Sequence, residues 1–215
     1  MKLQNLEVPG GDLDALRHFY GEVLDLPVRT SGGGLEVTVG WSALRFTTDQ
    51  RPSGHVEHLA FSLPMERFGA AQAWLSHRLP LRHDLSGASD FPSFSWGSCS
   101  LYFDDPDGNI LELIAYPDWH TVSQGAFGSG ELLGLAEFGL AVTDVPTTCQ
   151  ALSRLAADPP APKDDAFMWV GGPNGRLVVA RTGRIWFPDT GIPASPGPFR
   201  LTLDGGRTLT DAGLR

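Results

Sequence analysis

The sequence has little of what several protein classes require. Its 215 residues include two cysteines, Cys99 and Cys149, which cannot form the dense disulfide framework of a small secreted protein. No apolar run is as long as a membrane span, and the N-terminus lacks the apolar segment of a signal peptide. We therefore expect a reduced, cytoplasmic protein with no membrane partner.

Positive charge is also scarce. The net charge is −9, and the lysines are Lys2 and Lys163 alone. Nucleic-acid binding requires a basic face, so nucleic acid is not an expected partner. Hydrophobic residues make up 41% of the chain, which is enough to build a substantial core for one large or two small domains.

The most informative stretch is residues 98–113, SCSLYFDDPDGNILEL. Asp105, Pro106 and Gly108 stand at the first, second and fourth positions of a type I turn, which predicts a hairpin between two apolar-rich strands. Glu112 lies within the second strand. A carboxylate in such a strand is costly unless it is paired or bound to a cation, so Glu112 is a candidate site residue and the alternative is a structural ion pair.

A second strand predicted over residues 55–63 alternates between an apolar face and a mixed face that carries His58. A helix is predicted after Pro64 and ends before Pro80. Strand, helix and hairpin together form a βαβββ unit with His58 on its first strand and Glu112 on its last. Imidazole and carboxylate are a common ligand pair for divalent metals, although a lone strand histidine is more often structural.

The βαβββ pattern occurs three times along the chain. Residues 3–47 form the first copy, with a helix predicted from Leu13 to about Leu24 after Asp12, and residues 55–116 form the second. The third begins near residue 135, has a helix from about Val145 and a hairpin around Gly-Pro-Asn-Gly, and Phe199 to Leu203 is predicted as a last strand.

The first-strand histidine, the hairpin DPDGNILELIAY and the helix ending FYGEVLDLPV resemble the vicinal oxygen chelate superfamily, which includes glyoxalase I, bleomycin-resistance proteins and extradiol dioxygenases. The resemblance implies an α+β fold of paired βαβββ units that form a curved mixed sheet around a cleft. We expect a glyoxalase-like domain of two units over 1–117, a linker over 118–130, a degenerate third unit over 131–205 and a tail over 206–215. An unpaired third unit would expose an apolar face, which suggests a homodimer.

Metal ligands in this superfamily come from the first and last strands of paired units. His58 and Glu112 match those positions in the second unit, and Asn5 and Arg45 occupy them in the first. Asn5 is a weak ligand and Arg45 cannot bind a metal, so the resemblance leaves open a divalent site (Mn, Fe, Ni or Zn) or an Arg45–Glu112 ion pair with no metal. In the third unit the positions are Glu137 and Val179, so that copy has lost its hairpin carboxylate.

Other residues are candidates for contacts with a ligand. A two-residue loop at Pro106-Asp107 would place Leu101 opposite Glu112 and Cys99 on the same face, as a thiolate ligand or as a small buried hydrophobe. Phe94, Trp96 and Tyr102 lie in or beside strands that should wall the cleft. The aromatic run at 183–188 is expected to pack between units.

Two functions therefore remain open. The first is a metal-dependent lyase, isomerase or dioxygenase that acts, through Glu112 as a catalytic group, on a small molecule with adjacent oxygens. The second is a metal-free binding or drug-sequestering protein of the bleomycin-resistance type, with Arg45 and Glu112 as polar anchors. Ring-cleaving dioxygenase is the weaker enzyme subtype because the two-histidine, one-carboxylate iron triad is incomplete.

Overall fold

The computed structural model describes residues 1–93, 97–121, 123–156, 160–188 and 190–214. Three successive segments share one order of elements, a strand, a helix and three strands. The first consists of β1 (Leu3–Pro9), α1 (Leu13–His18), β2 (Val28–Ser31), β3 (Gly34–Val39) and β4 (Ser42–Thr47). The second consists of β5 (His58–Pro64), α2 (Phe68–Ser76), β6 (Phe91–Ser93), β7 (Ser98–Asp104) and β8 (Ile110–Tyr116).

The third segment repeats the same order and is followed by a short strand pair. It consists of β9 (Gly134–Val142), α3 (Val145–Ala156), β10 (Pro160–Asp164), β11 (Phe167–Gly172) and β12 (Gly175–Arg181), and the pair is β13 (Arg200–Leu203) with β14 (Thr208–Thr210). The threefold βαβββ pattern and the last strand predicted from the sequence are therefore confirmed. Among the described helices, none is both long enough and apolar enough to cross a bilayer.

The strands form two curved mixed sheets. One has the order β14-β13-β1-β4-β3-β2, and the other has the order β10-β11-β12-β9-β5-β8-β7-β6. Within each unit the first strand runs parallel to the last, as β5 does to β8 and β9 to β12. The eight-stranded sheet is continuous because β5 pairs antiparallel with β9.

This strand order corrects the expected pairing of the first and second units. The second unit instead pairs with the third, and the first unit is completed by β13 and β14. The hydrophobic periodicity of a strand shows which of its faces is apolar. It does not show which strand pairs along its edge, because the first strands of all three units offer similar backbone edges. The third unit pairs edge to edge with the second within the chain, so it is not the unpaired unit that the sequence suggested, and the homodimer stays a prediction.

The main core lies between the two sheets. Alternate residues of β5, β7 and β8 point into it, among them Leu59, Phe61 and Leu113. Ser42 links the sheets, because its hydroxyl donates to the Leu3 carbonyl at 2.6 Å and accepts from the Leu135 amide at 2.8 Å. These contacts hold one face of the eight-stranded sheet against the core. The other face, which is concave, points away from the core.

A close backbone approach at Gly40 fixes the same junction. Gly40 has a φ of +50°, and a Cβ at this position would lie 1.9 Å from the Leu133 carbonyl oxygen. The next residue, Trp41, donates its amide to that same oxygen at 2.9 Å. Only glycine fits both the conformation and the space.

The first helix begins where the sequence predicts and ends earlier. The Asp12 side chain accepts hydrogen bonds from the amides of Asp14 and Ala15, the usual N-cap arrangement. After His18 the chain widens into a π-helical turn over Phe19–Val23, which buries Phe19 and Tyr20. The Tyr20 hydroxyl donates to Asp105 in the second unit at 3.1 Å, so this turn joins the first unit to the hairpin.

The hairpin has the predicted type I turn but a longer loop. Gly108 donates its amide to the Asp105 carbonyl at 2.9 Å and adopts a φ of +77°, and Asp105 donates its amide to the Asn109 carbonyl at 3.2 Å. This is a three-residue loop with a glycine bulge. The extra residue shifts the strand register by one, so Tyr102, and not Leu101, lies opposite Glu112.

Asp105 organises this loop and gives it a pH dependence. It is buried, and its carboxylate accepts bonds from the Asp107 and Asn109 amides, the Asn109 side chain and the Tyr20 hydroxyl. Burial raises its pKa to about 6, against the opposing effect of these bonds.

We expect Asp105→Asn to change how stability depends on pH. A raised pKa in the folded state means that the aspartate stabilises the fold when protonated, so its contribution falls as pH rises from about 4 to 6. Relative to Asp105→Asn, the wild type should lose roughly 2–3 kcal/mol of unfolding free energy across that range. Urea unfolding in a chelator at pH 4, 5, 6 and 7 measures this. Asp104→Asn, which alters an exposed neighbour, is the control, and parallel curves for Asp105→Asn and wild type would contradict the prediction.

Candidate metal centre

Three potential ligands meet on the concave face of the eight-stranded sheet. The central strand β5 explains the convergence, because Ala60 pairs with Glu112 on β8 and also with Glu137 on β9. The two carboxylates therefore flank Ala60 from opposite sides. His58 lies two residues earlier on β5 and shares their face of the sheet.

The distances fit a single small cation. The His58 Nε2 atom lies 3.5 Å from Glu112 Oε2 and 4.0 Å from Glu137 Oε2. One ligand atom from each of the three residues lies within 4.8 Å of the others, and all three residues are buried. Ligand atoms bound about 2.0–2.2 Å from one ion are themselves separated by roughly 3–4 Å, so modest side-chain movement would complete the site.

Glu137 is held by a buried cation. Arg176, its direct neighbour on β12, donates from Nη1 to Glu137 Oε1 at 2.7 Å, and the Tyr116 hydroxyl donates to the same oxygen at 2.7 Å. Burial alone would raise the pKa of Glu137, but hydrogen bonding with His58 and the Arg176 charge outweigh it and lower the pKa. Glu137 is therefore ionised and keeps Oε2 directed toward His58.

The pKa of Glu112 is shifted in the opposite direction to that of Glu137. Burial, reinforced by repulsion from Glu137, raises the pKa of Glu112 to about 7, although attraction to His58 and hydrogen bonds with Ser100 and Tyr102 oppose the shift. The imidazole of His58 responds to the same charges. Burial lowers its pKa, yet hydrogen bonding with Glu137 and attraction to Glu112 make the net shift upward. Two buried carboxylates around one imidazole therefore attract positive charge, and a divalent cation would supply it.

The cluster lies at the floor of a cavity of about 510 Å³. Among the described residues, six aromatic side chains line it, namely Phe91, Tyr102, Phe167, Trp169, Trp186 and Phe187. Trp186 stacks on His58 with ring centroids 5.3 Å apart, and the half-exposed Phe187 packs edge-on against Phe91 at 5.2 Å near the mouth. The cavity is therefore shaped for a flat, largely apolar molecule.

Three polar groups of residues that line the cavity have no hydrogen-bond partner among the described residues. They are the Trp186 Nε1 atom, the Ser98 hydroxyl and the His58 Nδ1 atom, and all three residues are buried. Arg184 also lines the cavity, with its guanidinium 4.4 Å from the Phe167 ring centroid. Buried donors without a partner are costly, and a bound ligand with oxygen atoms would satisfy them.

The structure places the predicted residues in different parts of the molecule. His58 and Glu112 lie together in the cluster, and Tyr102 lines the cavity. Cys99 lies opposite Ala115 and shares its face with core residues, because the bulge shifts the register by one residue. The inference that Cys99 shares the face of Glu112 was therefore wrong. Phe94 and Trp96 lie outside the described residues.

Asn5 and Arg45 do not lie with the cluster. Asn5 is exposed on β1, where it pairs with Ala43 and Thr202 in the six-stranded sheet. Arg45 is on β4 of that sheet and donates from Nη2 to the Ser31 carbonyl at 3.1 Å. The alternative of an Arg45–Glu112 ion pair is therefore wrong, and the reason is that the first unit does not pair with the second.

Sequence reasoning did not assign three residues to the site, although it noted Glu137 at a ligand position of the third unit and the aromatic run that contains Trp186. Glu137 occupies the first-strand position of the third unit, the position that His58 occupies in the second. The repeat therefore predicts Glu137 as a ligand once the second and third units are known to pair. Arg176 and Trp186 had no such signal, and the aromatic run containing Trp186 lines the cavity instead of only packing between units. The residue that matches Glu112 in the third unit is Val178, not Val179, since Val178 pairs with Gly139, two residues after Glu137.

Comparison with known proteins gives structural relatives only. No family model matches the sequence, and no curated protein matches it significantly. The structure resembles a Bacillus subtilis protein provisionally described as a dioxygenase, with 16% identity and a TM-score of 0.61, over 84% of this chain and 63% of that one. The chain therefore spans less than two thirds of the length of that relative.

Two smaller structures also match part of the chain. One is a lactoylglutathione lyase from Agrobacterium tumefaciens, with 20% identity and a TM-score of 0.44, over 55% of this chain and 96% of that one. The other is an oxidase, ChaP-H1, with 24% identity and a TM-score of 0.44, over 56% and 99%. The repeated βαβββ units, their strand order and the likeness to the Bacillus structure give this chain the vicinal oxygen chelate fold.

Proposed function

We propose that the chain is a divalent-metal-dependent enzyme of the glyoxalase and dioxygenase type that acts on a small, flat molecule with adjacent oxygen atoms. The observation that carries the proposal is the set of three buried ligand atoms, from His58, Glu112 and Glu137, within 4.8 Å of one another. They lie at the floor of an aromatic cavity, where a substrate would reach them.

The donor set fits a metal of intermediate hardness. Carboxylates favour Mn²⁺ and imidazole favours Zn²⁺, Fe²⁺ and Ni²⁺, so one histidine with two glutamates favours Mn²⁺ or Fe²⁺ within this group. When bound, the cation would act as a Lewis acid on the oxygen atoms of the substrate. The third unit has Val178 where a fourth protein ligand would stand, which leaves room for substrate oxygens.

The residues around the cluster have distinct tasks. Arg176 and Tyr116 bind one oxygen of Glu137 and leave the other directed toward His58. Glu112 is the carboxylate that would take a proton from a carbon beside the substrate oxygens. Its pKa of about 7 describes the cluster without a cation, and a bound cation would lower it. The six aromatic rings would limit the access of water to this proton transfer.

The lining of the cavity narrows the ligand class. Trp186 and Ser98 offer donors to ligand oxygens, and Arg184 brings a permanent positive charge near the rings. An aromatic acid or phenol with neighbouring oxygens satisfies all of these groups. The same lining supports the second candidate function, metal-free binding of such a molecule, with Arg184 in the anchoring role first assigned to Arg45.

Metal content separates the two functions. We expect protein purified without a histidine tag to hold close to one equivalent of Mn, Fe, Ni or Zn by plasma mass spectrometry, or to take up one equivalent of one of these ions in a calorimetric titration. Failure to bind any of the four ions would overturn the enzyme proposal. Quenching of tryptophan fluorescence by 2,3-dihydroxybenzoate in metal-depleted protein would then favour the binding function.

A further inference from the structure

A second cluster with reactive chemistry lies outside the candidate metal centre. His55, just before β5, is hydrogen-bonded on both ring nitrogens. Its Nδ1 atom lies 3.1 Å from the Ser195 hydroxyl, and its Nε2 atom lies 2.8 Å from Glu57 Oε1. His55 and Glu57 are buried, at 6% and 4% exposure, whereas Ser195 is partly accessible. We propose that Ser195, His55 and Glu57 form a serine-nucleophile site that reacts with acyl esters.

The geometry has the features that activate a serine. The nucleophile is within hydrogen-bond reach of a base, and a third group orients that base. Either imidazole nitrogen can serve as the base while the other donates to the carboxylate. A serine hydroxyl donating to Nδ1 leaves the Nε2 proton to bond with Glu57, and this tautomer is the reactive one.

The imidazole has little freedom to leave this position. Gly197 lies against the ring, since a Cβ there would be 2.2 Å from Nε2. The His55 carbonyl accepts bonds from the Nε and Nη2 atoms of Arg51 at 3.1 and 2.7 Å. The segment before Ser195 is held too, because Ala194 exchanges backbone bonds of 2.7 and 2.8 Å with Arg184 and Gly183. A base fixed between its two partners is the condition for efficient proton transfer.

The cluster opens on a cavity of its own. This cavity has a volume of about 710 Å³, and Ser195, His55 and Glu57 all line it. Phe138 and Phe199 add apolar walls, and the hydroxyls of the first turn of α3 add polar ones. The volume accommodates a small ester beside Ser195.

The proposed reaction is hydrolysis of an ester through an acyl-serine. Ser195 Oγ bonds to the ester carbonyl carbon while its proton passes to His55 Nδ1. The carbon–oxygen bond to the alcohol breaks, and that alcohol leaves with the proton from His55. A water molecule, activated by His55 in turn, hydrolyses the acyl-serine and returns the acid and the free serine. Glu57 is a positioning residue, because its carboxylate bonds to the His55 ring and would not touch the ester.

Labelling with diisopropyl fluorophosphate tests the site. In this step the oxygen of Ser195 bonds to phosphorus, fluoride leaves, and the serine proton passes to His55. We expect one label per chain by intact mass, located at Ser195 by peptide mapping, and a burst of one p-nitrophenolate per chain with p-nitrophenyl acetate. Ser195→Ala should remove both signals, and Ser53→Ala, at an exposed serine, should change neither.

Variants of the two partners distinguish activation from mere accessibility. His55→Gln should slow labelling at least 100-fold, the usual range for losing a general base. Glu57→Gln can donate to Nε2 and favour the unreactive tautomer, so it should also slow labelling, and Glu57→Asp should recover part of the rate. Circular dichroism melting shows whether each variant is folded, and if His55→Gln unfolds, the comparison of Glu57→Gln with Glu57→Asp decides.

The outcomes that overturn the proposal are specific. They are the absence of label in folded wild type, label distributed over other serines, or a rate at Ser195 that is the same in Glu57→Gln and wild type. Glu112→Gln, in the metal cluster, should leave labelling unchanged. This control keeps the serine site separate from the proposed metal-dependent activity.

Discussion

A Glu112→Gln variant is expected to lose its metal and, with it, the metal-dependent activity. The substitution keeps the size of the side chain but replaces a carboxylate ligand by a neutral amide. Removal of an outer-shell partner typically weakens metal affinity 10- to 100-fold, and we expect removal of this direct ligand to weaken it by at least about 100-fold. Calorimetric titration with Mn²⁺ and Fe²⁺, together with metal analysis of the purified protein, measures the loss.

Stability of the same variant shows that the loss is not caused by unfolding. In metal-depleted wild type at pH 8 the buried Glu112, with its pKa near 7, is mostly ionised beside Glu137. The amide that replaces this carboxylate carries no charge, so in a chelator at pH 8 we expect Glu112→Gln to melt at or above the wild-type temperature. Unchanged metal affinity in a folded Glu112→Gln protein would contradict the proposed centre.

Three variants test which units supply the ligands. Glu137→Gln should lose metal as Glu112→Gln does, because Glu137 lies with His58 and Glu112 in one cluster. Asn5→Ala and Arg45→Ala should keep wild-type affinity, because both residues belong to the six-stranded sheet. Metal loss in Asn5→Ala would instead support the pairing of the first two units that the sequence suggested.

The units and two of the three residues of the metal cluster could be predicted from local patterns. Alternation in residues 55–63 and the turn residues at 105–108 depend on neighbours close in sequence, so His58 and Glu112 stood out. The contribution of Glu137 depends on β5 meeting β9, a contact between residues more than seventy positions apart. Two strands pair through backbone hydrogen bonds, which any sequence can form. The sequence therefore did not show that the second unit pairs with the third, and the partner unit was misassigned.

Smaller errors have equally physical causes. One extra residue in the loop, allowed by the positive φ of Gly108, turned Cys99 toward the core and placed Tyr102 opposite Glu112. A slip of one residue exchanges the two faces of a strand, so turn composition alone could not settle the register. Arg176 lies on a strand that reads as apolar, and only the three-dimensional contact with Glu137 shows why a cation is buried there.

Loss of the contact between Arg176 and Glu137 is expected to cause a large loss of unfolding free energy. Arg176→Met removes the cation that faces Glu137 and Tyr116, and leaves an ionised carboxylate buried without its partner. Breaking a buried pair from one side typically costs about 3–5 kcal/mol, and we expect a loss of that size in urea unfolding with a chelator present. Arg29→Met, at an exposed Arg29–Glu36 pair, should lose no more than about 1 kcal/mol.

A double-mutant cycle identifies the source of that loss. If the uncompensated charge of Glu137 is responsible, Arg176→Met with Glu137→Gln should be more stable than Arg176→Met alone, because the buried carboxylate is gone. Saturating Mn²⁺ should also reduce the loss in the single variant, since a bound cation faces the same carboxylate. Arg176 also lies over the Tyr116 ring at 5.3 Å. An equal loss in Arg176→Met alone, in the double variant and in Arg176→Met with Mn²⁺ would assign the stabilising effect of Arg176 to its packing on Tyr116. Arg176 would then not exert the control over the charge of Glu137 that the proposed centre requires.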